Sequence, residues 1–286
     1  MKKNCFFAII LGISVLLTAN SYALSISEFR PQNKHKEIIA TGFTEYPPFG
    51  YSVKNKRGED ILASIFKPIL DNMAIDNNWT PTYVLYKDYD RQVLEVKRGN
   101  IDVILGAYHD TTLYDGIELV YPAAIINPIT VFMLPNRISE VKSTEDLQKL
   151  KGVRVKHEVY SNFVEKQLQF YDIESVDTTY ELFERLFTKK ADYILIGQYY
   201  GLIEASKLGV RNQISVARQT LWQMPMFIGV SKLSQYRKML VQKIANHLNV
   251  PANIEEIKQK IIQMVDKAEI DAQGVVPPTF GMEQEQ

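Results

Sequence analysis

The stretch GNIDVILGAYHDTTLYDGIELVYPAAIINPITVFML, residues 99–134, constrains the fold more than any other. It opens on a near-continuous apolar run over residues 101–105, the pattern of a strand covered on both faces. Strands of that kind belong to sheets flanked by helices, which points to an α/β fold. The run stops at Gly106, where the chain enters a polar and aromatic loop holding Tyr108, His109, Asp110, Thr111, Thr112 and Tyr114. In open α/β sheets small molecules bind beyond the carboxyl ends of the strands, so this is a candidate binding loop. Past Tyr121-Pro122 a second apolar run, residues 129–134, predicts another strand and begins a separate α/β unit.

The flanking sequence extends the pattern. Residues 37–42 predict the first strand, and 43–51, FTEYPPFGY, a loop stiffened by two prolines with aromatics projecting from it. A helix is predicted over 60–73, where Ile61, Ile65, Ile69 and Met73 share a column beside Leu62, Phe66 and Leu70, and Pro68 should kink it. Strand 82–86, a helix capped by Asp88 or Asp90 and stopped at Gly99-Asn100, and strand 101–105 complete a β-α-β-α-β series. In the second unit Ser143-Thr144-Glu145-Asp146 reads as a capping box. Strand 153–156, helices 161–170 and 180–187, strand 193–196 and helix 198–207 follow, the last stopped by Gly209. Strand 226–230 returns to the first unit. Helix 235–248 and a helix begun by Asn253 and Glu256, with Ile254, Ile257, Ile261 and Val265 inward, should both pack there. Residues 267–286 carry glycine and two prolines without periodicity and read as a loose tail.

Lys2 and Lys3 precede an apolar run over 5–18, and Ser21-Tyr22-Ala23 offers small residues where a signal peptidase reads. Residues 1–23 therefore read as a secretory signal peptide cleaved after Ala23, which places the mature chain in the periplasm. The run is short for a membrane span, which needs roughly 20 residues. Cys5 is the only cysteine, so the mature chain has none, and disulfides, thiolate catalysis and cysteine-ligated metals are excluded. The 33 basic and 33 acidic residues balance, and losing the leader leaves a slight acidic excess. No basic field exists to draw nucleic acid or anionic lipid.

The order of strand, Gly-Ala loop, Tyr-Pro and second strand in residues 99–134 resembles the bacterial periplasmic solute-binding proteins of family 3, the amino-acid-binding type that feeds ABC importers. The resemblance runs over about residues 37–248. It implies the type II periplasmic-binding-protein fold: two α/β lobes, each a doubly wound sheet, joined by a two-strand hinge around a central cleft. The chain would cross near Asn127-Pro128 and again near 223–225. Lobe one would then comprise 24–128 and 226–266, lobe two 129–225, and the tail 267–286. The implied partners are a small-molecule ligand and an ABC permease, with the protein a monomer.

Tyr46, Phe49, Tyr89 and Tyr108 fall on loops at the carboxyl ends of first-unit strands, where aromatic faces and tyrosine hydroxyls can meet a ligand. The resemblance implies that Tyr46 stacks on the ligand from one side and Tyr89 from the other. It also implies that the backbone at Gly106, Ala107 and Tyr108 takes the ligand's polar groups. His109 and His157, one per lobe, are read as hydrogen-bonding residues, and Lys156, Tyr160, Ser161 and Gln198 complete the candidate ligand-binding set. The four histidines, with His35 and His247, show no metal-ligand spacing such as HExxH, so no metal or cofactor is expected.

The family's charged anchors are missing. Its carboxylate-holding arginine is matched by Leu113 or Tyr114, and no arginine occurs between Arg98 and Arg137. Its ammonium-holding aspartate is matched by Gly197, followed by Gln198, and its Gly-Thr turn by Val159-Tyr160-Ser161. A buried ligand carboxylate without a charged partner would cost several kcal/mol. The expected ligand is therefore a small polar or aromatic molecule other than a standard α-amino acid. No G-x-S-x-G, P-loop or G-x-G-x-x-G occurs, so a binding protein is expected rather than an enzyme. The alternatives are a periplasmic enzyme of the cyclohexadienyl dehydratase type on the same fold, or a ligand sensor independent of transport.

Overall fold

In the computed structural model, which describes residues 36–280 except 87, 110, 111, 157, 159 and 218–220, nearly every strand joins one large sheet. The signal-peptide reading lies outside the described residues. Strand β1 (Lys36–Gly42) leads into a small antiparallel sheet of β2 (Glu45–Tyr46), β3 (Gly50–Lys54) and β4 (Asp60–Ala63). Helix α1 (Lys67–Asn77), β5 (Trp79–Tyr83), α2 (Tyr89–Lys97) and β6 (Val103–Tyr108) follow. A single 17-residue strand, β7 (Ile117–Met133), then carries the chain across. Beyond it come β8 (Lys151–Val155), α3 (Asn162–Leu168), β9 (Asp172–Val176), α4 (Thr179–Phe187), β10 (Tyr193–Gly197), α5 (Gln198–Lys207) and β11 (Ser215–Val216). Strand β12 (Trp222–Ser231) brings the chain back, and α6 (Arg237–Leu248) and α7 (Pro251–Asp271) follow it.

The strand order is β5-β1-β6-β12-β7-β10-β8-β9, with β11 also on β7. Strands β5, β1 and β6 are mutually parallel, and so are β10, β8 and β9. Parallel sets need helical crossovers that cover both faces, and β6 and β10 are accordingly buried along their whole length. The antiparallel pair β12 and β7 stands between the two sets and joins them into two lobes. This is the expected two-lobed α/β fold. The pair stays in register through the crossing: Trp222 faces Ile129 and Met226 faces Ile125, and beyond an irregularity at Phe227, Ile228 faces Val120. Such an irregularity bends a strand pair locally.

Several elements depart from the sequence pattern. The apolar column at 60–73 divides, because its first four residues are β4 and α1 begins only at Lys67. Pro68 stands in the first turn, where a missing N–H has no partner to lose, so it starts the helix instead of kinking it. The strand expected at 129–134 is the end of β7. Pro122 falls in a gap between two paired stretches and so does not break the strand. At the capping box the helix is a short 3₁₀ turn, and Asp146 accepts from the Lys142 and Ser143 N–H groups behind it at 2.8 and 3.0 Å. Helix α7 begins at Pro251, and Asn253 instead donates to the His247 carbonyl at 2.9 Å.

Helix α7 also runs on to Asp271 and lies against α5 as well as α6, so it does not pack on lobe one alone. Ile257 and Ile261 join the larger apolar core, which draws residues from both lobes, whereas Val265 packs on the cluster of Phe132, Phe183 and Ile194 in lobe two. The segment beyond it is anchored: Phe280 stacks on Phe187 at 5.0 Å and meets Tyr180 at 5.5 Å.

Candidate functional site at the seam between the lobes

The two lobes meet through one buried polar network. Tyr46, on β2, donates its hydroxyl to Glu158 Oε1 at 2.7 Å. Glu158 lies in the turn after β8 and also accepts the Gly197 N–H at 3.1 Å, where β10 hands over to α5. Asn127 sits fully buried on β7 between the lobes and donates to the hydroxyls of Tyr46 at 3.0 Å and Tyr108 at 2.9 Å. First lobe, hinge and second lobe are thereby tied at one point. Gly197 makes this approach possible, since a Cβ there would collide with the Tyr46 hydroxyl and lie 3.1 Å from Asn127 Nδ2.

Aromatic rings wall the network. Phe43 lies between Tyr46 (5.4 Å) and Tyr89, on which it stacks at 4.5 Å with planes 9° apart. Tyr46 also meets Phe49 at 5.6 Å and, across the seam, Tyr200 at 4.7 Å. Tyr89 donates to the Gly106 carbonyl at 2.9 Å, and its oxygen is 3.0 Å from the Tyr114 hydroxyl. Gly106 has φ +93°, and a Cβ there would come within 2.8 Å of the Phe43 ring. Tyr160 is buried, reaches the Leu195 carbonyl at 3.5 Å and has the Arg154 guanidinium 5.8 Å from its ring centre. Arg154 itself is held by both carboxylate oxygens of Glu165 at 3.0 Å.

Burial pushes the Glu158 carboxyl above its ordinary range, although hydrogen bonds from Tyr46 and Gly197, the nearby Tyr160 hydroxyl and the charge of Arg154 pull the other way. Burial, and then the neighbouring Glu158, push the Tyr46 hydroxyl well above its usual value, so it remains a donor. Two acceptors in the network, Asn127 Oδ1 and Glu158 Oε2, are buried and have no hydrogen-bond partner among the described residues. Each such group costs about 1–3 kcal/mol.

Of the residues singled out in the sequence, Tyr46, Tyr89, Tyr108 and Tyr160 gather at this seam. Gly106 and Ala107 lie in β6 beside them. Phe49 is fully buried against Phe66 and Tyr199, so it supports the site from within the core. Gln198 opens α5, and Ser161 caps α3 by accepting from the Val164 N–H at 3.3 Å. Lys156 is exposed at the end of β8, and His157 lies outside the described residues. His109 is exposed and, with Tyr121, Ser161, Gln223, Met224 and Phe227, lines a cavity of about 320 Å³ on the seam. A larger hollow of about 560 Å³ at the α6–α7 corner gathers no comparable polar network. Among the described residues no three of His, Cys, Asp and Glu could hold a metal ion.

Phe43, Asn127, Glu158, Tyr199 and Tyr200 were not singled out by the sequence, although signals for three of them exist. Asn127 is a lone amide in the apolar run AAIINPITVF, and a buried polar group in a strand needs partners. Tyr199 and Tyr200 directly follow Gln198.

The geometry is that of a two-lobed periplasmic binding protein, with its cleft residues drawn from both lobes and the hinge. No family model and no curated protein matches the sequence. Solved structures do match the fold. A putative binding component of an ABC transporter from Wolinella succinogenes, complexed with lysine, has a TM-score of 0.63 and 17% identity, over 78% of this chain and 94% of that one. An amino acid ABC transporter substrate-binding protein from Streptococcus pneumoniae, bound to L-arginine, gives 0.58 and 14%, over 82% and 94%. A histidine kinase sensor domain similar to periplasmic binding proteins gives 0.58 and 15%, over 85% and 99%. At these identities the likeness defines the fold.

Proposed function

We propose that the protein is an exported, periplasmic solute-binding protein that closes its two lobes on a small polar or aromatic molecule and delivers it to an ABC-type importer. Its ligand is not a standard α-amino acid. One observation carries this reading: Tyr46 of lobe one, Asn127 of the hinge and Glu158 of lobe two meet in a single buried network. Two lobes that present polar groups to each other across a hinge form a device for ligand-driven closure. The solved relatives described as binding arginine or lysine support the solute-binding role. The ligand restriction follows from the seam, where Glu158 supplies negative charge and the arginine that acts on it, Arg154, is already held by Glu165.

The test is a thermal-shift screen against amino acids, amines, aromatic acids, small peptides and sugars. A ligand at 100 times its Kd stabilises the folded state by about 2.7 kcal/mol, a shift of a few degrees. A hit outside the α-amino acids is the expected result. A standard amino acid as the tightest hit would overturn the ligand restriction, and silence across the panel would favour a partner-binding sensor.

A second reading rests on Glu158 alone. A buried carboxyl held above its ordinary range is the form in which a general acid is kept. An enzyme of the cyclohexadienyl dehydratase type would then show turnover of cyclohexadienyl acids that Glu158→Gln abolishes.

A further inference from the structure

We propose that the ligand is a protonated amine bearing no carboxylate, received by Asn127 Oδ1 and Glu158 among the rings of Tyr46, Tyr108 and Tyr200. This inference rests on the solute-binding reading above and specifies its ligand class.

The argument is a count of hydrogens at the seam. The Tyr46 hydroxyl donates to Glu158, both Asn127 N–H groups go to tyrosine oxygens, and the Gly197 N–H goes to Glu158. Tyr89 donates to Gly106, and Tyr160 points to the Leu195 carbonyl. These donors are committed and the Tyr108 hydroxyl keeps one proton to give, while two buried acceptors, Asn127 Oδ1 and Glu158 Oε2, remain over. The Asn127 amide orientation is fixed by the same count: Tyr46 gives its only proton to Glu158 and can only accept from the amide.

A solute that brings acceptors, such as a carboxylate or phosphate, finds only the Tyr108 hydroxyl to take, leaves the surplus acceptors unmet and meets the Glu158 carboxyl. A solute that brings N–H donors and positive charge satisfies both surplus acceptors and draws the carboxyl to its ionised form. The surrounding tyrosine faces add cation–π attraction. The cavity of about 320 Å³, lined by His109 and Ser161, the residues next to Tyr108 and Tyr160, is the size of a small-molecule site.

The test uses the full chain exported from a bacterial host, with matched probes in thermal shift and isothermal titration. The amines are 2-phenylethylamine, tyramine and 1,4-diaminobutane. The counterparts are 2-phenylethanol, 3-phenylpropanoate and phenylalanine. The proposal expects at least one amine to bind, its counterparts to bind at least tenfold more weakly, and Glu158→Gln to weaken the amine tenfold or more. Binding of the alcohol or acid without any amine would overturn the proposal and leave the solute-binding reading standing. Equal binding of phenylalanine and 2-phenylethylamine would also overturn it, because the carboxylate would then be accommodated. If neither these probes nor the broader screen gives a shift, both readings fall. The probe comparison needs no variant, so it decides the question even if Glu158→Gln folds poorly.

Discussion

Tyr46 carries two duties at one atom, since its hydroxyl closes the seam on Glu158 and satisfies the Asn127 amide. Removing that atom in Tyr46→Phe leaves a buried carboxylate oxygen and a buried N–H short of a partner. The expected loss of stability is about 1–3 kcal/mol by urea unfolding. A double-mutant cycle with Glu158→Gln is expected to give a coupling energy of about 0.5–3 kcal/mol, and strict additivity would mean that the cross-lobe bond contributes nothing. Glu158 itself predicts a pH effect. Its folded-state carboxyl lies above the roughly 4.3 of an unfolded glutamate, so the folded protein holds the proton more tightly. That stability is fully present below the unfolded value and is lost as pH rises through the folded one. Burial pushes the neighbouring Tyr46 and Tyr160 hydroxyls well above their usual value, so both stay neutral as this happens. As pH rises above the unfolded value, the melting temperature of wild type is therefore expected to fall relative to that of Glu158→Gln. Curves that stay parallel would show that the carboxyl titrates normally.

At the scale of elements, the pattern of apolar runs revealed which strands are buried and hid where chain direction changes. Strands β1, β6 and β10 and helices α2 and α5 were legible because each couples an apolar period to a clear stop, such as Gly99 after α2. Asp88, at the N-cap of α2, accepts from the Asp90 N–H at 2.9 Å, as its residue type suggests. The β2–β4 sheet was not legible, since its strands are short and partly exposed and Ile61 to Met73 mimic one helical column. Pro68 separates the two readings. At the start of α1 it restricts the unfolded chain, so Pro68→Ala is expected to lower stability by about 0.4–1 kcal/mol; a proline kinking a longer helix would give a gain on removal. Tyr46, Tyr89 and Tyr108 were legible as aromatics near strand ends, although they lie in β2, α2 and β6 and not on loops. Asn127 showed only as a lone amide in an apolar run, and Glu158 not at all, because their pairings span long sequence distances that no local pattern encodes.

Across the whole molecule, the lobes are connected by more than the hinge. Helix α7 packs on α6 and α5 and reaches from the shared core to the separate cluster of lobe two, and Phe280 seats on Phe187 and Tyr180 beyond it. Phe280→Ala is expected to destabilise by on the order of 1 kcal/mol and to speed proteolytic cleavage after α7. No change in either would mean that the segment lies passively on the surface. The central sheet also imposes an order on folding. Strand β6 pairs with β1 on one side, but its other neighbour, β12, arrives only after β8, β9 and β10 have all been made. A chain emerging amino end first thus holds β6 with a bare hydrogen-bonding edge while the β8–β10 unit, continuous in sequence, can already complete itself. The lobe that begins the protein is the last to be finished, and a nascent chain stalled before Trp222 presents an edge open to pairing with another chain.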